Sequence, residues 1–200
     1  LVADSQERVR ILAVYPRREL LKDQFNETWG QARRLDAQLL SNGSRKIRIG
    51  ALFGETPSAA RFAIEEGRDF RPFSLLKCQS DSCAGSMRWN RADAARGIEK
   101  LICSVCGHEV HDDEIALTRE SAAKRPPDIL FTTTEMLNQR MSDSKFRHLF
   151  GIKVSGHLPL VLLDEVHTYG GVQGTHTGLL LRRWMRLSGN RPHFVGLSAT

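Results

Sequence analysis

The sequence predicts an α/β domain, a parallel sheet covered by helices on both faces, with a small cysteine-bearing module inserted into it. Three observations carry this. Apolar, β-rich runs alternate with stretches of helical periodicity at least four times along the chain, the pattern of parallel strands joined by crossover helices. The run LPLVLLDE (158–165) is apolar almost without interruption, as in strands buried on both faces. All four cysteines fall between residues 78 and 106, inside the one long stretch where periodicity lapses.

The elements follow in order. VRILAVYP (9–16) is a short β-rich run closed by Pro16 and predicts a buried strand. Within residues 17–40, Leu20, Leu21, Phe25, Trp29, Ala32 and Leu35 recur at helical spacing and predict one amphipathic helix. SNG (41–43) breaks it. KIRIGALFG (46–54) predicts a second strand, and ETPSAARFAIEEG (55–67) a helix with Pro57 in its first turn. No period is discernible from about residue 68 to 125. DILFTT (128–133) then predicts a strand and TEMLNQRM (134–141) a helix; 158–165 is the next strand. Residues 170–189 predict a helix between glycines, and HFVGLSAT (193–200) a last strand. The expected division is 1–67 and 126–200 for the two parts of the sheet domain, with 68–125 as the insertion.

The chain has 200 residues, 40% hydrophobic and 26% charged, enough for one domain with its own core. No run approaches the roughly 18 uninterrupted apolar residues of a membrane span. No basic-then-apolar signal opens the sequence, so a cytoplasmic protein is expected. The chain begins LVADSQ without a Met and is expected to be part of a longer one. A net charge of +6, from 29 Lys+Arg against 23 Asp+Glu, fits either an anionic partner such as nucleic acid or simply a basic surface.

In VLLDEVHTYGG (161–171) a buried-type strand delivers two adjacent acids, Asp164 and Glu165, to one point. Ligands of open parallel sheets bind at the carboxyl ends of the strands. There one carboxylate can hold Mg²⁺ through water while its neighbour activates a water for attack on a phosphate. Two solvated acids at a strand end fit the bare pair equally. Cys78 and Cys83 are separated by four residues, Cys103 and Cys106 by two, and 19 residues lie between the pairs. Clustered cysteines without a secretion signal point to metal, and four thiolates on two knuckles suit a closed structural Zn²⁺ site. Free thiols or an Fe–S cluster remain open, and His108 and His111 are possible substitute ligands. Between the pairs, Arg88, Trp89, Arg91 and Arg96 suggest either base stacking and phosphate contact or a surface packed on the larger domain.

Several segments together resemble the superfamily 2 DExH-box helicases. DEVH (164–167) resembles their motif II and LSAT (197–200) motif III. VYPRRELLKDQ resembles motif Ia, and ILFTTTEML motif Ib. FGETP (53–57) is similar to a segment between Ia and Ib in the branch that includes the bacterial mitomycin-repair helicases, and a zinc insertion resembles helicases of the DISARM defence type. The resemblance covers most of the chain outside 68–125. It implies a RecA-like fold, here an incomplete P-loop NTPase domain with a zinc-ribbon-like module, and an ATP-dependent helicase or translocase. Asp164 would then hold Mg²⁺ through water and Glu165 would be the catalytic base. His167 would bridge to the nucleic-acid side, and Ser198 and Thr200 would couple hydrolysis to domain movement. Arg17, Arg18, Thr133, Thr134 and Glu135 would contact the nucleic-acid backbone; Arg17 departs from the usual Thr and adds a charge. Helix capping by Thr134 and Glu135, or a solvated helix start at Arg17 and Arg18, fits the same residues. The resemblance favours DNA over RNA and a role in DNA repair or phage defence. No G-x-x-x-x-G-K-[ST] occurs, so the P-loop and a second RecA-like domain are expected elsewhere in the same longer chain. The alternative is a free-standing zinc-containing nucleic-acid-binding module without ATPase activity.

Overall fold

The computed structural model describes residues 7–80, 82–154, 158–189 and 191–198; the side chains of Arg18 and Gln173 are outside that description. Six parallel strands form one sheet in the order β10-β9-β1-β8-β2-β7. These are β1 (Ile11–Tyr15), β2 (Ile49–Leu52), β7 (Ile115–Ala116), β8 (Ile129–Thr133), β9 (Leu160–Leu163) and β10 (His193–Gly196). Four antiparallel strands, β3 (Phe70–Lys77), β4 (Ser86–Asn90), β5 (Lys100–Cys103) and β6 (Glu109–His111), form a second sheet in sequence order. The helices are α1 (Arg18–Arg34), α2 (Asp36–Ser41), α3 (Arg91–Ala95), α4 (Arg119–Lys124), α5 (Thr134–Arg140) and α6 (Gly171–Ser188). None of the described helices is long and apolar enough to cross a membrane.

The parallel sheet is apolar on both faces because each face meets a different layer. On one, Ala13, Tyr15, Ala51 and Phe131 pack against Leu21, Phe25, Trp29 and Ala32 of α1. These recur every three or four residues and so share one helix face. The same cluster continues into Leu75, Met87, Trp89, Leu101 and Val110 of the antiparallel sheet, so the two sheets share one core. On the other face Leu12, Val14, Leu130 and Val161 pack against Met136, Leu137, Phe150 and Trp184. Trp184 is fully buried and donates its Nε1 proton to the Phe150 carbonyl at 2.8 Å.

Three local expectations change. The helix expected over 17–40 is two helices broken at Leu35, and Leu20 and Leu35 are exposed rather than core-facing. Residues 55–67 form only a single 3₁₀ turn, Ala60–Phe62. The Pro57 and Ser58 carbonyls accept from the amides of Arg119 and Glu120, so they are unavailable to a helix of their own. The stretch without discernible period is ordered. Its first strand is eight residues long but loses register between Pro72 and Lys77, the next three are five residues or fewer, and buried Met87 and Trp89 flank half-exposed Arg88. Within the same stretch Ile115 and Ala116 pair with β2 in the parallel sheet, and α4 follows.

Asp128 ties the amino-terminal end of the sheet together. Its backbone carbonyl accepts from Arg10 and Ile11 leading into β1, and its amide donates to the Arg48 carbonyl before β2. Its carboxylate accepts from Arg10 Nε at 3.2 Å, both Arg45 Nη atoms at 2.6 and 2.7 Å, and the Arg48 amide at 3.0 Å. The carboxylate is nearly fully buried, as is Arg10. Truncating one partner of such a buried network strands the other charges, at a cost of about 3–5 kcal/mol. Asp128→Ala should therefore lower the urea midpoint by that equivalent with an unchanged slope, whereas an exposed control, Glu66→Ala, should stay within about 0.5 kcal/mol.

Candidate functional site

Parallel strands that end in register bring their following residues together. Val14 of β1, Leu163 of β9 and Gly196 of β10 stand in one row. Beyond it, the Asp164 amide donates to the Val14 carbonyl at 3.1 Å, Leu197 to Leu163 at 2.8 Å, and Val166 to Leu197 at 3.0 Å. The DEVH loop is thus stitched between the ends of β1 and β10. Glu165 takes a left-handed conformation, φ 52° and ψ 44°. For a residue with a side chain this costs on the order of 1–3 kcal/mol and persists only where the surroundings impose it. Here the backbone bonds on both sides of Glu165 impose it.

Three of the acid-site residues connect directly. His167 Nδ1 lies 3.1 Å from Glu165 Oε2 and 3.0 Å from Ser198 Oγ. This joins the DEVH loop to the loop after β10 at the half-exposed carboxyl edge. Thr200 lies outside the described residues. Asp164 is half-buried, and no basic side chain pairs with it among the described residues. Burial, then the Asp164 charge, pushes the phenols of Tyr15 and Tyr169 up, Tyr169 to about 12, so both remain protonated beside it. The Tyr169 hydroxyl is buried without a hydrogen-bond partner among the described residues. A carboxylate free of basic partners beside an unused hydroxyl fits a hydrated Mg²⁺, a cation that keeps water in its shell. Neither tyrosine is singled out by a strand or loop pattern. Gly174 in α6 lets that helix close on the loop: a Cβ there would sit 1.8 Å from the Tyr169 carbonyl oxygen.

On the same edge, Pro16, Arg17, Phe53, Gly54, Thr133 and Glu135 line a cleft of about 320 Å³. The ends of β1, β2 and β8 meet there. Arg17 is exposed, and Arg18 opens α1. Thr133 Oγ1 accepts from the Met136 amide at 3.2 Å and so caps α5. Thr134 begins α5, and Glu135 accepts from Gln139 Nε2 at 3.0 Å. The cleft has three carboxylates, Glu19, Glu55 and Glu135, against the cation of Arg17. Charge among the described side chains therefore does not by itself draw a phosphate strand here. Thr134 and Glu135 also border a groove of about 460 Å³ with Asn138, His176 and Arg183 of α5 and α6. The α6 side of that groove shows no motif in the sequence.

The four cysteines converge. Their Sγ atoms all lie within 4.8 Å of one another, with Cys78–Cys106 at 3.5 Å and Cys83–Cys103 at 3.6 Å. A tetrahedral Zn²⁺ with Zn–S of about 2.3 Å separates its sulfurs by about 3.8 Å. The amides of Ser80, Gly85 and Val105 each point at the sulfur two residues before, at 3.4 Å. A Cβ on Gly85 would fall 2.4 Å from Cys103 Sγ, so only glycine fits beside the cluster. Burial, ahead of the neighbouring thiols, pushes Cys78 up to about 12; a cation among the sulfurs would offset that cost. The donor set fits zinc, and neither His108 nor His111 belongs to it. The arginines and tryptophan between the pairs do not form a stacking surface. Trp89 is 1% exposed, Arg96 pairs with Asp93 at 2.7 Å, and Arg91 donates to the Arg68 and Glu65 carbonyls. Arg88 stacks over Phe70, 3.9 Å from its ring centre.

No family model matches this chain. It is 33% identical over 96 residues to the ATP-dependent helicase hrq1 of Schizosaccharomyces pombe, covering 46% of this chain and 9% of that protein. It is 35% identical over 89 residues to the Lhr helicase/uracil glycosylase of Escherichia coli strain K12, covering 44% of this chain and 5% of that protein. The chain spans about a tenth of the length of the curated relatives it matches. Its whole length aligns with 18% of the solved Mycobacterium smegmatis helicase Lhr bound to ssDNA and AMP-PNP, at a TM-score of 0.58 and 20% identity. The chain thus has the fold of part of that helicase and is similar in sequence, over nearly half its length, to ATP-dependent helicases.

Proposed function

We propose that this chain is part of an ATP-dependent nucleic-acid helicase or translocase of superfamily 2, within its first RecA-like motor domain, acting on DNA. The observation that carries the reading is the Glu165–His167–Ser198 connection at the carboxyl edge, in a chain similar to ATP-dependent helicases. Asp164 would hold Mg²⁺ through water, and the ion would supply neutralisation of the charge developing on the phosphates. Glu165, held by the strained loop, orients the attacking water and accepts its proton. His167 passes the change at Glu165 to Ser198, whose hydroxyl can exchange partners when the phosphate leaves. Thr200 acts with Ser198 in that coupling. Arg17, Arg18, Thr133, Thr134 and Glu135 contact the nucleic-acid backbone beside this site, Arg17 and Arg18 by charge and the threonines by hydroxyl and backbone groups.

The phosphate-holding loop and the second RecA-like domain belong to chain outside these 200 residues. β10 supports this: it edges the sheet, and Phe194, Val195 and Leu197 are each about 40% exposed, a surface another strand and its helix would cover. In this reading residues 1–67 and 126–200 would be the motor portion and 68–125 the insertion, of which Phe70–His111 spans the antiparallel sheet while Ile115–Ala116 joins the parallel one. DNA repair or phage defence is the setting that the resemblance suggests.

The test is ATP hydrolysis by the full-length protein with and without single-stranded DNA. We expect DNA-stimulated hydrolysis and a loss of about 10²-fold or more in kcat for Glu165→Gln, with DNA binding retained. Undiminished hydrolysis in that variant would contradict the base assignment; DNA binding without any hydrolysis in the wild type would favour the binding-module reading.

Zinc has its own test. The purified protein should contain about one equivalent of zinc, and Cys103→Ser should abolish it and lower the thermal midpoint. Gly85→Ala should weaken zinc retention without removing a ligand. A metal content near zero, or Cys103→Ser protein that keeps its zinc, would remove the site.

A further inference from the structure

A cavity larger than either of the clefts described above lies away from the carboxyl edge. It encloses about 680 Å³ at the amino-terminal end of the parallel sheet, in the seam with the antiparallel sheet. Arg48, the residue before β2, forms its floor, and α4 contributes Lys124 with Arg125 beside it. Arg61 comes from the 3₁₀ turn, and Arg96 from the turn after α3.

These five cations line the cavity with three carboxylates, Glu99, Asp112 and Glu120, and three of them already meet an acid: Lys124 meets Glu120, Arg96 meets Asp93 at 2.7 Å and Arg125 meets Glu7 at 2.8 Å, which leaves Arg61 and Arg48 without one among the described residues. Glu120 pairs with Lys124 at 2.9 Å, and Glu99 accepts from the Thr118 hydroxyl at 2.5 Å and the Leu117 amide at 3.3 Å. The third, Asp112, is exposed. Arg48 is the unusual member. It is 1% exposed, yet no carboxylate lies within ion-pair distance of it among the described residues. Its guanidinium donates to the Asp112 carbonyl at 2.6 Å, to Ser121 Oγ at 2.7 Å and to the Arg125 carbonyl. Burial, then the neighbouring charge of Arg125, pulls it down to about 10, so it is still a cation at neutral pH. A buried charge without a counter-charge is costly unless something compensates it. Lys124 and Arg61 are exposed, so they can turn toward an anion without losing a buried partner.

We propose that this seam cavity binds a phosphate group, with Arg61, Arg96, Lys124 and Arg125 as direct donors and Arg48 as the fixed charge beneath them. Guanidinium groups match phosphate oxygens in pairs, and Lys adds a point charge. The phosphate belongs either to a nucleic-acid strand or to a free phosphorylated small molecule of nucleotide size. An occupant would touch both sheets at once and so brace the zinc-bearing sheet against the motor portion. The proposal does not depend on ATP hydrolysis at the carboxyl edge.

Hydrogen–deuterium exchange of the full-length protein tests it locally. Inorganic pyrophosphate should protect backbone amides of residues 95–99 and 117–125. Arg61→Glu with Lys124→Glu should weaken that protection about tenfold or more in concentration, while leaving DNA-independent ATP hydrolysis unchanged. Both side chains are exposed, so the fold should tolerate the pair; the milder Arg61→Ala should give an intermediate shift. A short single-stranded oligodeoxythymidine that protects the same amides, with the same dependence, identifies a strand as the source; protection by pyrophosphate alone identifies a free phosphorylated ligand. If neither protects these segments, or if protection survives the double substitution, the site does not exist.

Discussion

The level ending of β1, β9 and β10 is the constraint on which the candidate site depends. Parallel strands joined by helices all run toward the same edge, so whatever follows them must share it. Because Val14, Leu163 and Gly196 stand in register, the residues after them are forced into backbone contact. Glu165 is then turned into a left-handed conformation that its own preferences oppose. A slip of one residue in β9 would exchange the two sheet faces and move both acids away from Ser198 and Tyr169.

The architecture links this edge to the antiparallel sheet in a way that the linear order hides. The cysteine-bearing strands are not a pendant module; Met87, Trp89 and Leu101 lie in one cluster with Phe25, Trp29 and Phe131. Asn26 of α1 accepts from the Lys77 amide at 2.9 Å, beside the first knuckle. The thiol cluster therefore stabilises one end of a core whose other end covers β1. A metal held by that cluster, as proposed, would be felt through α1, and α1 begins immediately after the cleft of Pro16 and Arg17.

The sequence made legible what local pattern encodes. Continuous apolar runs identified β1, β8 and β9, and the acid pair after β9 lies at the edge proposed for the chemistry. Cysteine spacing identified a group that the fold does bring within metal-binding distance. Other features were hidden for physical reasons. The 55–67 segment has helix-compatible residues, but Pro57 and Ser58 spend their carbonyls on α4, a long-range event. Between residues 70 and 111 the register of β3 shifts between Pro72 and Lys77, and β4, β5 and β6 alternate too briefly for a period to show. Trp89 fits a stacking surface and a packed one equally in the sequence, because tryptophan beside arginine reads the same in a core and on a surface. Arg48 carries no signal of its own within KIRIGALFG; only the packing of α4 and the second sheet makes it a buried cation.

The central claim is that Asp164 anchors the metal of a nucleotide site at this edge. Electron paramagnetic resonance of Mn²⁺, bound by the full-length protein together with a non-hydrolysable ATP analogue, tests it most directly. The account predicts one tightly held Mn²⁺ that Asp164→Asn weakens by about tenfold or more and that Glu165→Gln largely preserves. Mn²⁺ binding that is indifferent to Asp164→Asn would contradict it.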